Sequence, residues 1–235
     1  MNSFASPHTL AALPFAQKNF RKPSADDLYS RIFDAILEQR ILPGSRITED
    51  SLGQMFDVRR SEVRNVLTRL SHQQIIVLRT HHRPRVAAPD FEQTRQTLHA
   101  RRLAETTLVR LACQQPLPQD LKRLRALIES ERQCTARGPA IRLSGEFHLQ
   151  LAEMAGNAPL AHFLCSLVPL TALAIAQFDT PTEGYCDWQV HEGILDAVER
   201  GDALKAETLL NRHLDHLEET LLNSGSRPIQ NRVAG

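Results

Sequence analysis

Two helical periods separated by a three-residue break occupy the stretch from Ile47 to Leu70, and they leave the fold around them little freedom. The first is short. Thr48 is placed to cap it, Glu49 and Asp50 fall in its opening turn, and it ends near Met55. Phe56-Asp57-Val58 reads as a tight turn. The second period runs from Arg59 or Arg60 to about Gln73, with Val63, Val66, Leu67 and Leu70 inward and Arg59, Arg60, Arg64 and Arg69 on the exposed side. Arg60 and Arg64 are four residues apart and share a face. A helix pair of this kind suits the major groove of DNA, where arginines at the start of the second helix reach base edges and phosphates.

The flanks fit that reading. Leu28, Tyr29, Ile32, Phe33, Ile36 and Leu37 form one apolar stripe, which predicts a helix over 25–39 with Ser24 as its cap. Pro43-Gly44 forces a turn. Ile75-Ile76-Val77-Leu78 reads as a strand, Arg85 to Ala88 can pair back with it, and His81-His82-Arg83-Pro84 forms the tip between them. A basic hairpin in that position is a wing. From Asp90 no strand pattern appears. Helices are expected at about 90–114, 118–136, 140–155, 159–178, 187–200 and 202–222. The breaks fall at Pro116 and Pro118, Gly138-Pro139, Gly156-Asn157, Thr180 to Gly184, and Gly201-Asp202. The expected fold is mostly α: an N-terminal winged helix-turn-helix over 24–89 and a six-helix antiparallel bundle over 90–222. Residues 1–23 read as a flexible arm and 223–235 as a flexible tail.

Overall net charge is +1, which is uninformative, but its distribution is not. Arg21 to Pro89 holds 12 Lys/Arg against 8 Asp/Glu, and Asp90 to Leu222 holds 13 against 19. A basic front and an acidic back confine the electrostatic footprint for DNA to one part of the chain. The four cysteines, Cys113, Cys134, Cys165 and Cys186, form no close pair, which argues against a zinc ribbon or a disulfide framework and for a reducing cytoplasm. The most apolar stretch, Leu160 to Phe178, is interrupted by His162, Pro169 and Thr171 and reads as a buried helix, so no membrane is expected. The N-terminus lacks the pattern of a signal peptide.

Three histidines of the back half lie on apolar stripes. His191 has Ile194, Leu195 and Val198 at +3, +4 and +7, and His213 has Leu209, Leu210 and Leu217 on its side. His148 is accompanied by Leu151, Ala152 and Ala155. Each taken alone is a hydrogen-bonded core histidine; together, on three helices, they could meet at one point and hold zinc, nickel or a similar ion. Arg101 and Glu105, four apart, are either a solvated pair or an inward clamp in which Arg101 grips a carboxylate. Asn157 reads as a cap or turn residue and Trp188 as a core or interface residue.

Leu42-Pro43-Gly44-Ser45-Arg46-Ile47, then Leu52, then Asp57 through Leu70 closely resemble the winged helix-turn-helix of GntR-type transcription regulators. The back half, through Glu146-Phe147-His148, Ala155-Gly156-Asn157, His191 and His213, resembles the all-helical ligand-sensing (FCD) domain of the FadR-like branch. The resemblance implies a homodimer on a two-fold symmetric double-stranded operator. It also implies an effector pocket in the helical domain for a small organic acid, often beside a divalent metal. His148, His191 and His213 match that family's metal-binding histidines, and Arg101 and Glu105 match positions near its pocket. Its fourth ligand, an Asp one turn before the first histidine, is Ser144 here, a much weaker ligand. Arg59 stands where a Ser usually caps the recognition helix, leaving Ser61 to cap one turn later. Asp50 replaces a common basic residue, and Pro84 a common wing-tip Gly.

The function expected is a metabolite-responsive, DNA-binding transcription regulator, a repressor by sign, and not an enzyme. Arg46, Arg59, Arg60, Ser61, Arg64, His82 and Arg83 are its candidate DNA contacts. Arg101, Glu105, Ser144, His148, His191 and His213 are its candidate effector residues, with the three histidines as metal ligands. One alternative is a three-histidine metal-dependent enzyme fused to a DNA-binding module. Against it, no general base falls beside the histidines, since Glu146 and Glu153 lie off the His148 stripe. A scaffold that binds protein partners is the other alternative.

Overall fold

The computed structural model describes residues 25–79, 82–177 and 188–223. The arm, the tail, the expected cap at Ser24, the break at Thr180 to Gly184 and Cys186 lie outside these residues. The chain folds in the order α1 (Ala25–Leu37), α2 (Glu49–Phe56), α3 (Arg60–His72), β1 (Ile76–Val77), β2 (Arg85–Val86), α4 (Phe91–Ala112), α5 (Pro118–Gln133), α6 (Arg137–Met154), α7 (Ala158–Gln177), α8 (Trp188–Glu199) and α9 (Ala203–Glu218). The last helix ends in a π turn, Glu219–Asn223. The fold is thus mostly α, with a winged helix-turn-helix in front of a helical bundle.

Local chemistry accounts for the front motif. Thr48 Oγ1 accepts from Ser51 N at 3.0 Å, and Ser51 Oγ accepts from Thr48 N at 3.2 Å, which closes a capping box on α2. Asp57 adopts a left-handed conformation with φ of 54°, and Val58 N donates back to Gly53 O at 3.0 Å, which ends α2 and aims α3 across it. A Cβ on Gly53 would stand 3.1 Å from Val58 O, so the turn needs a small residue there. Ser61 is not the cap of α3: the helix begins at Arg60, and its capping position is Arg59. The end is closed from the other side, by Glu62 Oε2 accepting from Arg59 N at 3.0 Å. Arg69 is exposed near the end of α3. It pairs with Asp26 at 2.6 Å and lies 4.0 Å above the Tyr29 ring, so it fastens α3 to α1.

The wing is smaller than the β-branched run implies. β1 and β2 pair antiparallel as Ile76 with Val86 and Val77 with Arg85. The segment after α1 adds a third edge, with Gly44 N donating to Val86 O, Val86 N to Ser45 O, and Ile47 N to Pro84 O. Apolar residues of α1, α2, α3 and the wing form a core that continues without interruption into Ala172, Leu173 and Ile175 of α7 and Leu217 of α9.

The back half holds α4 to α9. Asp90 caps α4 by accepting from Gln93 N at 2.8 Å, and Asn157 Oδ1 accepts from Leu160 N at 3.2 Å at the start of α7. α7 is long and apolar enough to cross a membrane by composition, yet its Leu164, Leu167, Val168 and Leu173 are buried among the other helices. One break was misplaced. Gly138-Pro139 lies inside the first turn of α6 and not before it; a proline is tolerated there because its missing N–H has no partner in a first turn. The reason for Gly138 is tertiary. A Cβ at that position would meet Glu38 Cγ at 2.7 Å and the Asp34 carbonyl at 2.9 Å, so α6 approaches α1 backbone to backbone. Arg142, one turn on, binds Asp34 through Nε at 2.7 Å and Glu146 through Nη1 at 2.7 Å. Gly138→Ala is therefore expected to lower unfolding stability by about 1–3 kcal/mol through overpacking. A thermal melt tests this, and an unchanged midpoint would show that α1 and α6 can separate freely.

Candidate functional site

Two groups of side chains stand out. The first is the exposed face around α3. Arg46, Arg59, Arg60, Ser61, Arg64, His82 and Arg83 are all solvent-exposed. α3 holds three of them, Arg60, Ser61 and Arg64, on its open side, with Arg59 at its cap, while Val63, Val66, Leu67 and Leu70 anchor the other side in the core. Arg46 and Arg85 meet in a backbone bridge at the base of the wing, which brings the turn after α1 beside the hairpin. Arg60 and Arg64 do not stand alone. Arg60 Nε lies 2.9 Å from Asp50, and Arg64 makes a two-pronged pair with Glu49 at 2.7 and 2.8 Å. The α2 carboxylates therefore face the arginines.

The second group lies inside the bundle. His148 of α6, His191 of α8 and His213 of α9 bring their rings together, with all three centroid separations at 5.2 Å. One ring nitrogen from each lies within 4.8 Å of the others. His191 is fully buried and stacks on Phe147 at 4.2 Å. Two carboxylates orient the set. His148 Nδ1 meets Glu105 Oε2 at 2.6 Å, and His191 Nδ1 meets Glu131 Oε2 at 2.8 Å. Each pairing leaves Nε2 buried and, among the described residues, without a hydrogen-bond partner. Carboxylates that fix Nδ1 in this way turn an imidazole's Nε2 lone pair toward an ion.

The electrostatics keep the His148 and His213 rings neutral. Burial outweighs the raising influence of Glu105 and, with the Arg101 charge, pulls His148 down to about 4. Burial and the two neighbouring rings hold His213 well below its ordinary value. Burial by itself would raise Glu105, but Arg101 and His148 more than offset it and leave its carboxyl at about 2. Arg101 is no solvated partner: it is buried, binds Glu105 through Nε, and keeps a buried Nη2 without a partner among the described residues.

Arg101, Ser144, His148 and His213 line one small cavity of about 20 Å³, together with Gly145 and His216. His191 and Glu105 stand behind its wall. Glu105 therefore supports His148, which is a different role from ligand contact. Glu105 and Glu131 both fall beside the histidines, and each holds an Nδ1. Glu131 was missed by sequence reasoning, although it occupies a stripe position four residues after Leu127 and three after Ile128, where a carboxylate needs a buried partner. His216, read as an ordinary polar residue, reaches the cavity rim.

An exposed arginine-bearing helix-turn-helix with a wing, packed on a bundle that encloses a polar pocket, defines a ligand-responsive DNA-binding regulator. Comparison with known proteins agrees. Residues 24–86 match the model of the bacterial regulatory proteins of the gntR family, and residues 96–216 match the FCD domain. The chain belongs to the GntR family, in its FadR-like branch with an FCD domain. It is 26% identical over 256 residues to the HTH-type transcriptional repressor NanR of Cronobacter sakazakii, covering 94% of this chain and 95% of that one. It is 27% identical over 252 residues to NanR of Escherichia coli K12, covering 94% of each. Its fold is similar to that of E. coli McbR/YncC, with a TM-score of 0.66, 17% identity and 85% and 97% of the two chains covered. A transcriptional regulator of the same family from Rhodococcus sp. RHA1 gives a TM-score of 0.66 at 19% identity, with 85% and 98% covered.

The pKa directions set the acid response of the metal-free protein. His148 and His213 are depressed in the fold, so the unfolded chain binds more protons between its own histidine pKa near 6.5 and the folded value near 4. Stability is fully present above that window and falls as pH drops through it; the depressed Glu105 extends the loss further down. Melting temperatures measured from pH 7 to pH 4 should decline throughout. A flat profile between pH 6.5 and 4 would contradict neutral buried rings.

Proposed function

We propose that this chain is a cytoplasmic, homodimeric transcription repressor whose grip on a two-fold symmetric operator is altered by a small organic acid held in the helical half. Residues 24–89 form its DNA-binding domain and 90–222 its effector and dimerisation domain, flanked by an arm and a tail. The observation that carries the effector site is the buried Nε2 atoms of His148 and His191 and the buried Nη2 of Arg101, all without partners among the described residues, beside a cavity that Arg101 and His148 line. The repressor sign is supported by the printed function of its NanR relatives.

The donor set suits a divalent ion such as zinc or nickel. His148, His191 and His213 would hold it, with Ser144 a weak fourth neighbour. When bound it would supply a Lewis-acidic anchor for a carboxylate. Arg101 would clamp the same carboxylate through Nη2, a charge-assisted contact in a buried setting. The site is not catalytic in this reading, because Glu105 and Glu131 are both committed to imidazole Nδ1 atoms.

About 20 Å³ holds one water or ion and no organic acid. Effector entry therefore requires α6, α7 and α9 to shift around it. α6 is the element that passes such a shift to α1, through Arg142 with Asp34 and the close approach at Gly138. A ligand that favours one placement of α1 shifts the population of binding-competent dimers.

Two experiments test this. Arg60→Ala and Arg64→Ala should each weaken binding to an operator duplex recovered by selection by about 10- to 100-fold, with unchanged circular dichroism. Unaltered affinity in both variants would remove α3 as the reading helix. His191→Ala with His213→Ala should lose bound metal and the response to the acid that co-purifies with the wild type, while operator affinity stays near normal. A full response in the double variant would make the histidines mere core.

A further inference from the structure

The α2 carboxylates Glu49 and Asp50 face the arginines of the recognition helix. We propose that Glu49 and Asp50 are positioning residues that set which base edges Arg64 and Arg60 read, an inference that rests on those two arginines contacting DNA. Arg64 Nε donates to Glu49 Oε1 at 2.7 Å and its Nη2 donates to Oε2 at 2.8 Å. A guanidinium carries five N–H groups in a fixed planar fork. The pair uses two of them, both on the Nε side, and leaves the Nη1 hydrogens and the outer Nη2 hydrogen. That remaining edge is the one that pairs end-on with guanine O6 and N7.

One turn earlier Arg60 makes a looser ion pair: its Nε lies 2.9 Å from Asp50 Oδ1 and 3.9 Å from Glu49 Oε2. Both arginine side chains remain 66% exposed, so the carboxylates hold them without covering them. Exposed ion pairs add little to stability, and the helix dipole favours an acid anywhere in the first turn of α2. Neither explains a two-pronged grip on Arg64.

Two consequences follow, and both favour discrimination. A held guanidinium has already lost the rotamer freedom that ordering on DNA would otherwise remove. The two negative charges also offset part of the attraction to phosphate, which is the sequence-independent component of binding. Glu49 and Asp50 thus lower affinity for arbitrary DNA more than for the operator.

The test is fluorescence anisotropy on the full chain, with a duplex recovered from a random library by the wild type and a scrambled duplex, at two salt concentrations. Glu49→Gln and Asp50→Asn should bind the scrambled duplex more tightly, with operator affinity unchanged or reduced. The ratio of the two affinities should fall by about tenfold. If both affinities rise equally, the carboxylates only repel phosphate and the proposal is overturned. A rising ratio also overturns it, because the pairs would then compete with the operator. Arg60→Ala and Arg64→Ala are run alongside: if they leave operator binding intact, the DNA contacts themselves fail, and this failure is distinct from a failure of the carboxylates to position them. Melting temperatures of all four variants exclude loss of folding as the cause.

Discussion

One helix carries the constraint on which the structure depends. α6 must lie close enough to α1 that Gly138 touches the Asp34 carbonyl, and it must also deliver His148 to the bundle interior. The two residues are ten apart, about 15 Å along a rigid rod. Every other element in the back half is arranged around that rod. α7 packs against it through Gly145, where a Cβ would stand 3.1 Å from Val168. α4, α8 and α9 bring Glu105, His191 and His213 to its inner face. The continuous apolar core from α1 into α7 then makes the front and back halves one packed body.

Buried charge explains why the histidine site has the form it does. Glu105 and Glu131 could not be buried without partners, and removing either partner would leave a costly uncompensated carboxylate. Each takes an imidazole N–H, and Glu105 also takes Arg101. The Nε2 atoms of His148 and His191 are in turn left buried and, among the described residues, without a partner. The polar site is therefore a chain of compensations that ends on unsatisfied atoms, and those atoms are the part of it available to an ion or a carboxylate. Residual unpaired groups of this kind are rare in folded proteins and concentrate where something binds.

The DNA-reading face is organised by the opposite regime. Its ion pairs are exposed and screened, so they contribute orientation more than energy. Glu49 and Asp50 meet the arginines because the Asp57 turn sets α2 and α3 across one another, with the first turn of each on the same side. The same acids that suit the start of α2 thereby become neighbours of the start of α3.

Much of this was legible in the residues. Helical periodicity located α1 to α9, Thr48 announced the cap of α2, and the stripes around His148, His191 and His213 put all three rings inside the bundle. These features are local, and spacing along one helix is enough to reveal them. Arg101 with Glu105 stayed ambiguous, because a four-residue spacing looks the same on a wet face and a dry one. The pattern does not reveal Glu131, and it reads Gly138-Pro139 as a break. In each case the deciding atom belongs to another element: His191 for Glu131 and the Asp34 carbonyl for Gly138. The sequence by itself determined which helices form and which face each one buries, because those depend on residues three and four apart. Only the tertiary structure decided which buried charges meet, how small the cavity is and which arginines already hold a carboxylate, because those depend on distances between segments that no local pattern encodes.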